Sequence, residues 1–160
     1  EEAFEEIKGV KSVDSGYSGG RTPSPTYEQV SQGNTGHVEV VRVQFDPQQI
    51  SYSNLLKVFW TNIDPTVENR QFCDVGEQYR SAIFYLNENQ HREAKRSKEE
   101  LLRTGKFKKI YTTVEAAKTF HIAEQYHQDF YKTNPMRYRF YKATCGRENR
   151  LNEVWGYKPK

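Results

Sequence analysis

The sequence predicts an α+β domain with two layers. Strand-like segments alternate with helices long enough to cover one face of a sheet, as where GNTGHVEVVRVQFDP (33–47) precedes a helical stretch. No glycine-rich phosphate loop follows a predicted strand, so nucleotide binding has little support. A doubly wound α/β fold is the alternative. Because 160 residues suit one domain, we expect residues 1–160 to form a single unit.

Composition narrows the classes of partner. The net charge is +3, from 24 basic and 21 acidic side chains, so neither nucleic acid nor an anionic membrane is favoured as a partner. No apolar run approaches 18 residues and no basic-plus-apolar leader is present, which predicts a cytoplasmic protein. The 11 Tyr and 9 Phe residues are expected to supply much of the core.

The N-terminal residues predict a helix and then a strand. EEAFEEIKG places Ala3, Phe4 and Ile7 on one helical face, and Gly9 is a typical stop. This helix has no Ser, Thr, Asp or Asn cap, which suggests a domain cut at its start. Residues 10–17 predict a strand. The following SGYSGGRTPSPTYEQV predicts a long loop, either purely structural or forming a pocket wall.

The segment 33–47 contains the first candidate catalytic residue. With the period of a strand, Glu39 shares a face with Val41, Val43 and Phe45. If this face is inward, apolar surroundings raise the pKa of Glu39 and allow it to donate a proton near neutral pH. If the opposite face is buried, Glu39 is a solvated surface carboxylate.

The remaining elements follow from capping residues and periodicity. Ser51 or Ser53 caps a helix that carries an apolar stripe and ends before Asp64. A central strand is expected over 79–86, followed by a charged helix from Asn87 to about Gly105 and a strand over 110–114. A helix over 124–131 is expected to be ended by Asn134-Pro135. The polar tail is expected to be anchored by Trp155 and to wrap back over the domain.

One histidine and two cysteines have alternative interpretations. On a helix over 124–131, His127 shares a face with Phe130 and Tyr131, which suits either a core histidine or a pocket residue. Cys73 and Cys145 form no CxxC or Cys/His metal spacing, which argues against a disulfide scaffold or zinc site. They are either buried thiols or redox-active ones.

Six segments together resemble the A-type peptide methionine sulfoxide reductases. In the family's order they are GYSGG, PTYEQV, TGHVEVVRVQFDP, the Asp-Pro at 64–65, GEQYRSAIFY and AEQYHQDFYKTNP. The resemblance implies a two-layer sandwich built on a ferredoxin-like αβ plait. It also implies reduction of the S epimer of methionine sulfoxide, free or in peptides, by a monomer that uses thioredoxin as electron donor and needs no metal or organic cofactor.

The same resemblance assigns site residues by motif. Glu39 in TGHVE is the implied acid, assisted by the hydroxyls of Tyr27 in PTY and Tyr79 in QYRSAIFY. Asp74 matches a second pocket carboxylate that orients the substrate or a water. His127, in YHQDFY, matches a residue near the pocket. The implied substrate contacts are Tyr27, Asp74, Tyr79 and His127.

The cysteines fit the family less closely. Cys145, in TCGRE, fits by region the resolving cysteine that forms a disulfide for thioredoxin to reduce, with a free surface thiol as the alternative. Cys73 adjoins Asp74 and is expected to be an inert buried thiol rather than a pocket residue.

The family's attacking cysteine is not among the 160 residues. In the family it lies in a Gly-Cys-Phe-Trp turn directly before the helix that here starts at Glu1, where a helix N-terminus favours thiolate. A truncation just after that turn is the first expectation, and the chain as given is then inactive. The alternative is a non-catalytic module that recognises oxidised methionine.

Overall fold

The computed structural model describes residues 1–156, and these residues form a mixed α+β fold as expected. The strands are β1 (Val10–Ser18), β2 (Val38–Phe45), β3 (Arg70–Gln71), β4 (Asp74–Val75), β5 (Ala82–Tyr85), β6 (Thr113–Ala116) and β7 (His121–Ile122). The helices are α1 (Glu2–Glu5), α2 (Tyr27–Ser31), α3 (Tyr52–Thr61), α4 (Glu88–Arg103), α5 (Phe130–Thr133), α6 (Pro135–Thr144) and α7 (Arg147–Trp155).

The largest sheet is antiparallel, with strand order β2-β1-β7. The predicted strands 10–17 and 33–47 correspond to β1 and β2, which pair along most of their length. Tyr17 lies directly opposite Glu39 in this register, so their side chains share one face of the sheet. β1 is therefore the middle strand, and among residues 1–156 one edge of β2 has no strand partner.

A second, two-stranded sheet is parallel and joins β5 to β6 through the crossover helix α4. The prediction of a central strand over 79–86 was wrong, because β5 covers Ala82–Tyr85 and pairs on one side. The strand expected over 110–114 lies slightly later, as β6. The alternation of residues in this segment indicated that both faces of the strand are covered by side chains. It could not indicate how many strands pair with β5.

The specific αβ plait is not seen among residues 1–156. Their strands form three separate sheets, including the short hairpin β3–β4, and no strand joins β2 to β5. Helices α3 and α4 cover the second sheet, where Trp60 Nε1 donates to Ser97 Oγ at 2.9 Å. The predicted stripe of α3 is buried at Leu55 and Leu56, and Ser51 caps this helix.

Three helical predictions differ from the structure. α1 spans four residues, shorter than expected. The predicted loop contains a helix, α2, that Thr26 and Gln29 start with a capping box. The expected helix over 124–131 is interrupted, because Asp129 adopts a left-handed φ of 54° between a 3₁₀ turn (Gln125–His127) and α5. Pro135 ends α5 as predicted and also begins α6.

The C-terminal region is helical and packs back onto the domain. Trp155 Nε1 donates to the carbonyl of Ile63 at 3.0 Å, which confirms Trp155 as an anchor. Arg150 Nε donates to Asp64 Oδ2 at 2.7 Å, and Asp64 is 2% exposed. The tail was expected to run through Tyr157, which lies outside the described residues together with the rest of 157–160. A single domain over 1–160 stays a prediction.

Within residues 1–156, no helix combines the length and hydropathy that a membrane crossing requires.

Candidate active site

A groove of about 660 Å³ is lined by residues of several elements, including β2 and β5. We call it the central groove. Its walls include apolar side chains such as Val41 and Phe84, together with polar and charged ones. Four of the motif-assigned residues are among the polar ones, namely Tyr27, Glu39, Tyr79 and His127, so the fold brings them to one place. Tyr17 also lines the groove.

Glu39 points from β2 into the central groove. Its side chain is solvent-exposed in the open groove, yet the surrounding walls remove enough water to raise the pKa of Glu39 to about 7. The negative charge of Asp74 adds to this increase. The predicted rise in the pKa is therefore confirmed, and the carboxyl group is partly protonated at neutral pH. Both earlier interpretations hold in part, because Glu39 faces the groove and remains accessible.

Tyr27 and Tyr79 place hydroxyl groups around Glu39. Tyr27 begins α2, and Tyr79 ends a 3₁₀ turn (Glu77–Tyr79) just before β5. Burial raises the pKa of Tyr79 to about 12, and the charge of Glu39 contributes. Burial and Glu39 also raise the pKa of Tyr27. Both hydroxyls therefore keep their protons at neutral pH and can donate hydrogen bonds to an oxygen bound in the groove.

The glycine-rich loop beside Glu39 is fixed by His37, a buried residue of the TGHVE motif. His37 Nδ1 accepts a hydrogen bond from Gly20 N at 3.1 Å, so Nε2 carries the proton and donates to the carbonyl of Thr22 at 2.8 Å. A Cβ on Gly20 would lie 2.4 Å from His37 N, which explains glycine there. This contact anchors the start of the β2 segment.

Asp74 and Cys145 lie beside the central groove in a smaller pocket. Asp74 is in β4, and the hydroxyl of Tyr141 on α6 donates a hydrogen bond to its Oδ2 atom. Arg147 borders both this pocket and the central groove. Asp74 thus acts on the groove through its charge, which raises the pKa values of Glu39, Tyr27 and Tyr79.

His127 occupies a position that helical spacing did not predict. Because Asp129 breaks the helix, the face shared with Phe130 and Tyr131 does not form. The imidazole instead packs at 4.4 Å from the ring of Tyr27 and at 4.3 Å from that of Tyr126. Its Nε2 atom is buried without a hydrogen-bond partner, and Glu124 Oε2 is too far for one at 3.6 Å. This atom is therefore an unsatisfied buried polar group beside the central groove.

Glu124 organises the groove wall, and the sequence reasoning did not identify it. Its carboxylate accepts from Tyr17 Oη at 3.1 Å, Tyr27 N at 3.0 Å and Tyr126 Oη at 3.2 Å. Tyr17 on β1 and Tyr27 on α2 lie 107 and 97 positions away in sequence, whereas Tyr126 is only two positions away. No local pattern could have revealed the contacts of Glu124 with Tyr17 and Tyr27. The segment AEQYH shows only that an acid lies beside two aromatic rings.

The two cysteines form a disulfide between Cys73 and Cys145, with a Cα–Cα distance of 5.2 Å. The expectation of an inert, buried Cys73 was wrong, because this residue is exposed and bonded. Cys145 is not a free surface thiol in this structure. The hairpin β3–β4 carries Cys73 outward to the end of α6, a long-range approach that sequence spacing does not encode.

Chemically, the central groove can bind an apolar group and protonate an oxygen attached to it. Within residues 1–156, no three His, Cys, Asp or Glu side chains gather as a potential metal site. An acid with a pKa near 7, two hydroxyl donors and a nearby cysteine pair are typical of an α+β oxidoreductase that works by thiol chemistry. The model of the family described as peptide methionine sulfoxide reductase matches residues 1–159, and the chain belongs to this family.

Curated relatives agree with this assignment along nearly the whole chain. The peptide methionine sulfoxide reductase MsrA of Bacillus licheniformis is 47% identical over 156 residues, which cover 97% of this chain and 86% of the relative. The MsrA of Halalkalibacterium halodurans is 47% identical over 154 residues, covering 96% and 88%. The MsrA of Streptococcus agalactiae is 46% identical over 153 residues, covering 95% and 89%.

Solved structures show the same fold. The reduced form of Mxr1 from Saccharomyces cerevisiae superposes with a TM-score of 0.78 at 32% identity, over 84% of this chain and 78% of that one. Methionine sulfoxide reductase A of Corynebacterium diphtheriae superposes with a TM-score of 0.75 at 34% identity, over 85% and 69%. The resemblance found in the sequence motifs is confirmed.

Proposed function

We propose that this chain has the function of its family, peptide-methionine (S)-S-oxide reduction, which returns oxidised methionine to methionine and needs an attacking cysteine that the 160 residues do not contain. The observation that carries the proposal is Glu39, an acid with a pKa of about 7 in a groove that also holds the hydroxyls of Tyr27 and Tyr79. A sulfoxide oxygen is a strong hydrogen-bond acceptor that must gain a proton before the S–O bond breaks. The similarity to peptide methionine sulfoxide reductases of bacteria supports this substrate.

Each groove residue has a role in the proposed reaction. A cysteine thiolate attacks the sulfoxide sulfur, the oxygen takes a proton from Glu39 and passes to the cysteine as a sulfenic acid, and methionine is released. Tyr27 and Tyr79 donate hydrogen bonds to that oxygen while charge builds on it. Asp74, from the edge of the central groove, and the imidazole of His127 in its wall are assigned to orient the substrate or a water.

The attacking cysteine is the part that this sequence does not provide. Both of its cysteines are in the Cys73–Cys145 disulfide, so neither is a free thiol. We therefore propose that the 160-residue chain alone does not reduce methionine sulfoxide. A non-catalytic module that binds oxidised methionine is the second candidate, and the intact groove without a free thiol is the observation in its favour.

Cys145 is the proposed resolving cysteine. Its thiolate would attack the sulfenic acid, form a disulfide and release water, and a dithiol such as thioredoxin would then reduce that disulfide. Because Cys145 is bonded to Cys73 here, the pair must first be reduced. The proposal includes a monomeric, cytoplasmic enzyme that needs no metal or organic cofactor.

The test joins a segment ending in Gly-Cys-Phe-Trp directly to Glu1. Thioredoxin-dependent reduction of a peptide containing methionine S-sulfoxide is measured for this extended chain and for the 160 residues alone. We expect turnover in the first and none in the second, with little activity on the R epimer. Glu39→Gln in the extended chain should lower kcat about 10²- to 10⁴-fold, the usual contribution of a general acid.

The matched control is Glu28→Gln, which changes an exposed glutamate on α2 next to Tyr27. Its turnover should equal that of the unchanged extended chain. Full activity of Glu39→Gln at all pH values would remove Glu39 from the acid role. Saturable binding of the sulfoxide peptide without turnover by the extended chain would favour the binding module.

A further inference from the structure

Tyr141 contacts Asp74 from a distant part of the chain. The hydroxyl on α6 donates to Asp74 Oδ2 on β4, across 67 positions of sequence. Burial raises the pKa of Tyr141, and the hydrogen bond to Asp74 raises it further, so the hydroxyl stays a donor throughout the neutral range. Asp74 therefore has a fixed hydrogen-bond partner outside its own hairpin.

The hairpin that carries Asp74 is short and depends on such outside contacts. Strands β3 and β4 pair through two rows, Arg70 with Val75 and Gln71 with Asp74. A two-row hairpin is not stable by itself in water. Its turn includes Phe72, whose φ of 52° is left-handed, and Cys73 follows directly.

The disulfide fixes the same hairpin to the end of α6. Cys73 precedes Asp74 in sequence, and Cys145 is the C-cap of the helix that carries Tyr141. Cys73 Sγ lies 3.7 Å from Tyr141 Oη. Arg147 packs over the ring of Phe72 at 4.6 Å and adds a further contact between the two segments.

We propose that Tyr141 is a positioning residue that holds Asp74 at the edge of the central groove, and that the Cys73–Cys145 disulfide keeps Tyr141 against Asp74. The proposal rests on the roles proposed above for Glu39 and Asp74. Its consequence is that the redox state of the cysteine pair changes the proton affinity of the acid. Tyr141 is not among the described residues that line the central groove, so it acts through its hydrogen bond to Asp74.

The charges around Glu39 make a change in its proton affinity measurable. The titratable groups that interact with Glu39 across the groove come from five elements. They are Tyr17 on β1, Tyr27 on α2, Asp74 on β4, Tyr79 in a 3₁₀ turn and Tyr141 on α6. The tyrosines are neutral near pH 7, whereas Asp74 is the negative neighbour that raises the pKa of Glu39. Moving Asp74 away should lower that pKa.

Reduction of the cysteine pair should have the same effect. A dithiol breaks the S–S bond and supplies two electrons and two protons, so two thiols form and the dithiol becomes a disulfide. The covalent connection between the hairpin and α6 is then lost. Tyr141 and Asp74 separate more often, and Glu39 experiences less of the Asp74 charge.

The experiment is a carboxyl ¹³C NMR titration of Glu39 in the 160-residue chain, which needs no turnover. We expect Tyr141→Phe to lower the pKa of Glu39 by roughly half a pH unit, the size of one partly screened charge moving away. Asp74→Asn should lower it at least as much. Adding Tyr141→Phe to Asp74→Asn should cause no further change.

Control measurements distinguish the positioning of Asp74 by Tyr141 from a general loss of structure in this region. Tyr138→Phe removes a hydroxyl one turn earlier on α6, where it donates to Glu2 at 2.9 Å, and should leave the pKa of Glu39 unchanged. Dithiothreitol should lower that pKa in the unchanged chain and in Tyr138→Phe, but not further in Tyr141→Phe. Cys145→Ser gives a second route to the reduced state if Tyr141→Phe does not fold.

An unchanged pKa of Glu39 in both Tyr141→Phe and Cys145→Ser would overturn the proposal. An equal decrease in Tyr138→Phe, or a decrease by Tyr141→Phe that persists with Asp74→Asn, would also overturn it. Failure of the reductase proposal gives a different result, because the extended chain would then show no turnover of the sulfoxide peptide, whatever the titration of Glu39 shows.

Discussion

The hydroxyl of Tyr17 donates a hydrogen bond of 3.1 Å to Glu124 Oε2, connecting β1 to the segment that carries His127. Tyr17 is 2% exposed, so its hydroxyl has no access to water in place of this partner. The other carboxylate oxygen accepts from the backbone of Tyr27 at the start of α2. Glu124 therefore fixes the wall against which the proposed substrate binds.

Glu124→Ala should lower the free energy of unfolding by about 1 to 3 kcal/mol, because it leaves the buried Tyr17 hydroxyl without an acceptor. Tyr17→Phe in the same chain removes the stranded hydroxyl and should recover part of this loss. Urea denaturation of the two single variants and the double variant measures the coupling. Strictly additive losses would show that the Tyr17–Glu124 contact contributes nothing of its own.

Removal of the tyrosine hydroxyls should slow the reductase reaction. In the chain extended by Gly-Cys-Phe-Trp, Tyr27→Phe and Tyr79→Phe should each lower kcat/KM about 10²-fold, as expected for a donor to an oxygen that gains charge. Steady-state kinetics on the S-sulfoxide peptide provide the measurement. Tyr85→Phe is the control, since Tyr85 stacks on His91 at 4.2 Å and should retain full activity. Equal losses in all three variants would contradict the assigned roles.

The raised pKa of Glu39 also predicts how stability changes with pH. The folded value of about 7 exceeds the ordinary 4.5, so between these values the folded chain binds more protons than the unfolded chain. The unfolding free energy should therefore fall as pH rises through this window. Glu39→Gln lacks this titration, so its stability relative to the unchanged chain should improve from pH 5 to pH 8.

Thermal unfolding of both proteins across that pH range is the measurement, with Glu28→Gln as an exposed control. Solvent access to Glu39 will keep the effect small. A constant difference between Glu39→Gln and the unchanged chain at every pH would show that the folded pKa is not raised.

The Cys73–Cys145 disulfide should be a large source of stability. It joins residues 72 positions apart, and loop-closure entropy gives a stabilisation of about 4 kcal/mol for a loop of this length. Replacing both cysteines by serine should lower the urea midpoint accordingly. Dithiothreitol should lower the midpoint of the unchanged chain and leave the serine variant unaffected. Equal midpoints with and without the reductant would argue that no disulfide forms.

Local chemistry in the sequence predicted most of the individual elements. Ser51 and Asn87 accept hydrogen bonds from the third residue of their helices, as their positions indicated. The helix over 124–131 was an error, because the left-handed backbone of Asp129 is stabilised by its surroundings and not by helical propensity. The prediction of a central strand over 79–86 was wrong for a related reason, because the strands that pair with a given segment come from distant parts of the sequence.

The sequence by itself determined the α+β class, the family and the residues that surround the central groove, because ordered motifs record which side chains the chemistry requires. The tertiary structure alone decided the pKa of Glu39, the carboxylate of Glu124 that holds Tyr17 and Tyr27, and the pairing of Cys73 with Cys145. Each of these depends on the distance between atoms far apart in sequence. Desolvation, Coulomb interaction and covalent bonding all vary with that distance, which only the folded chain defines.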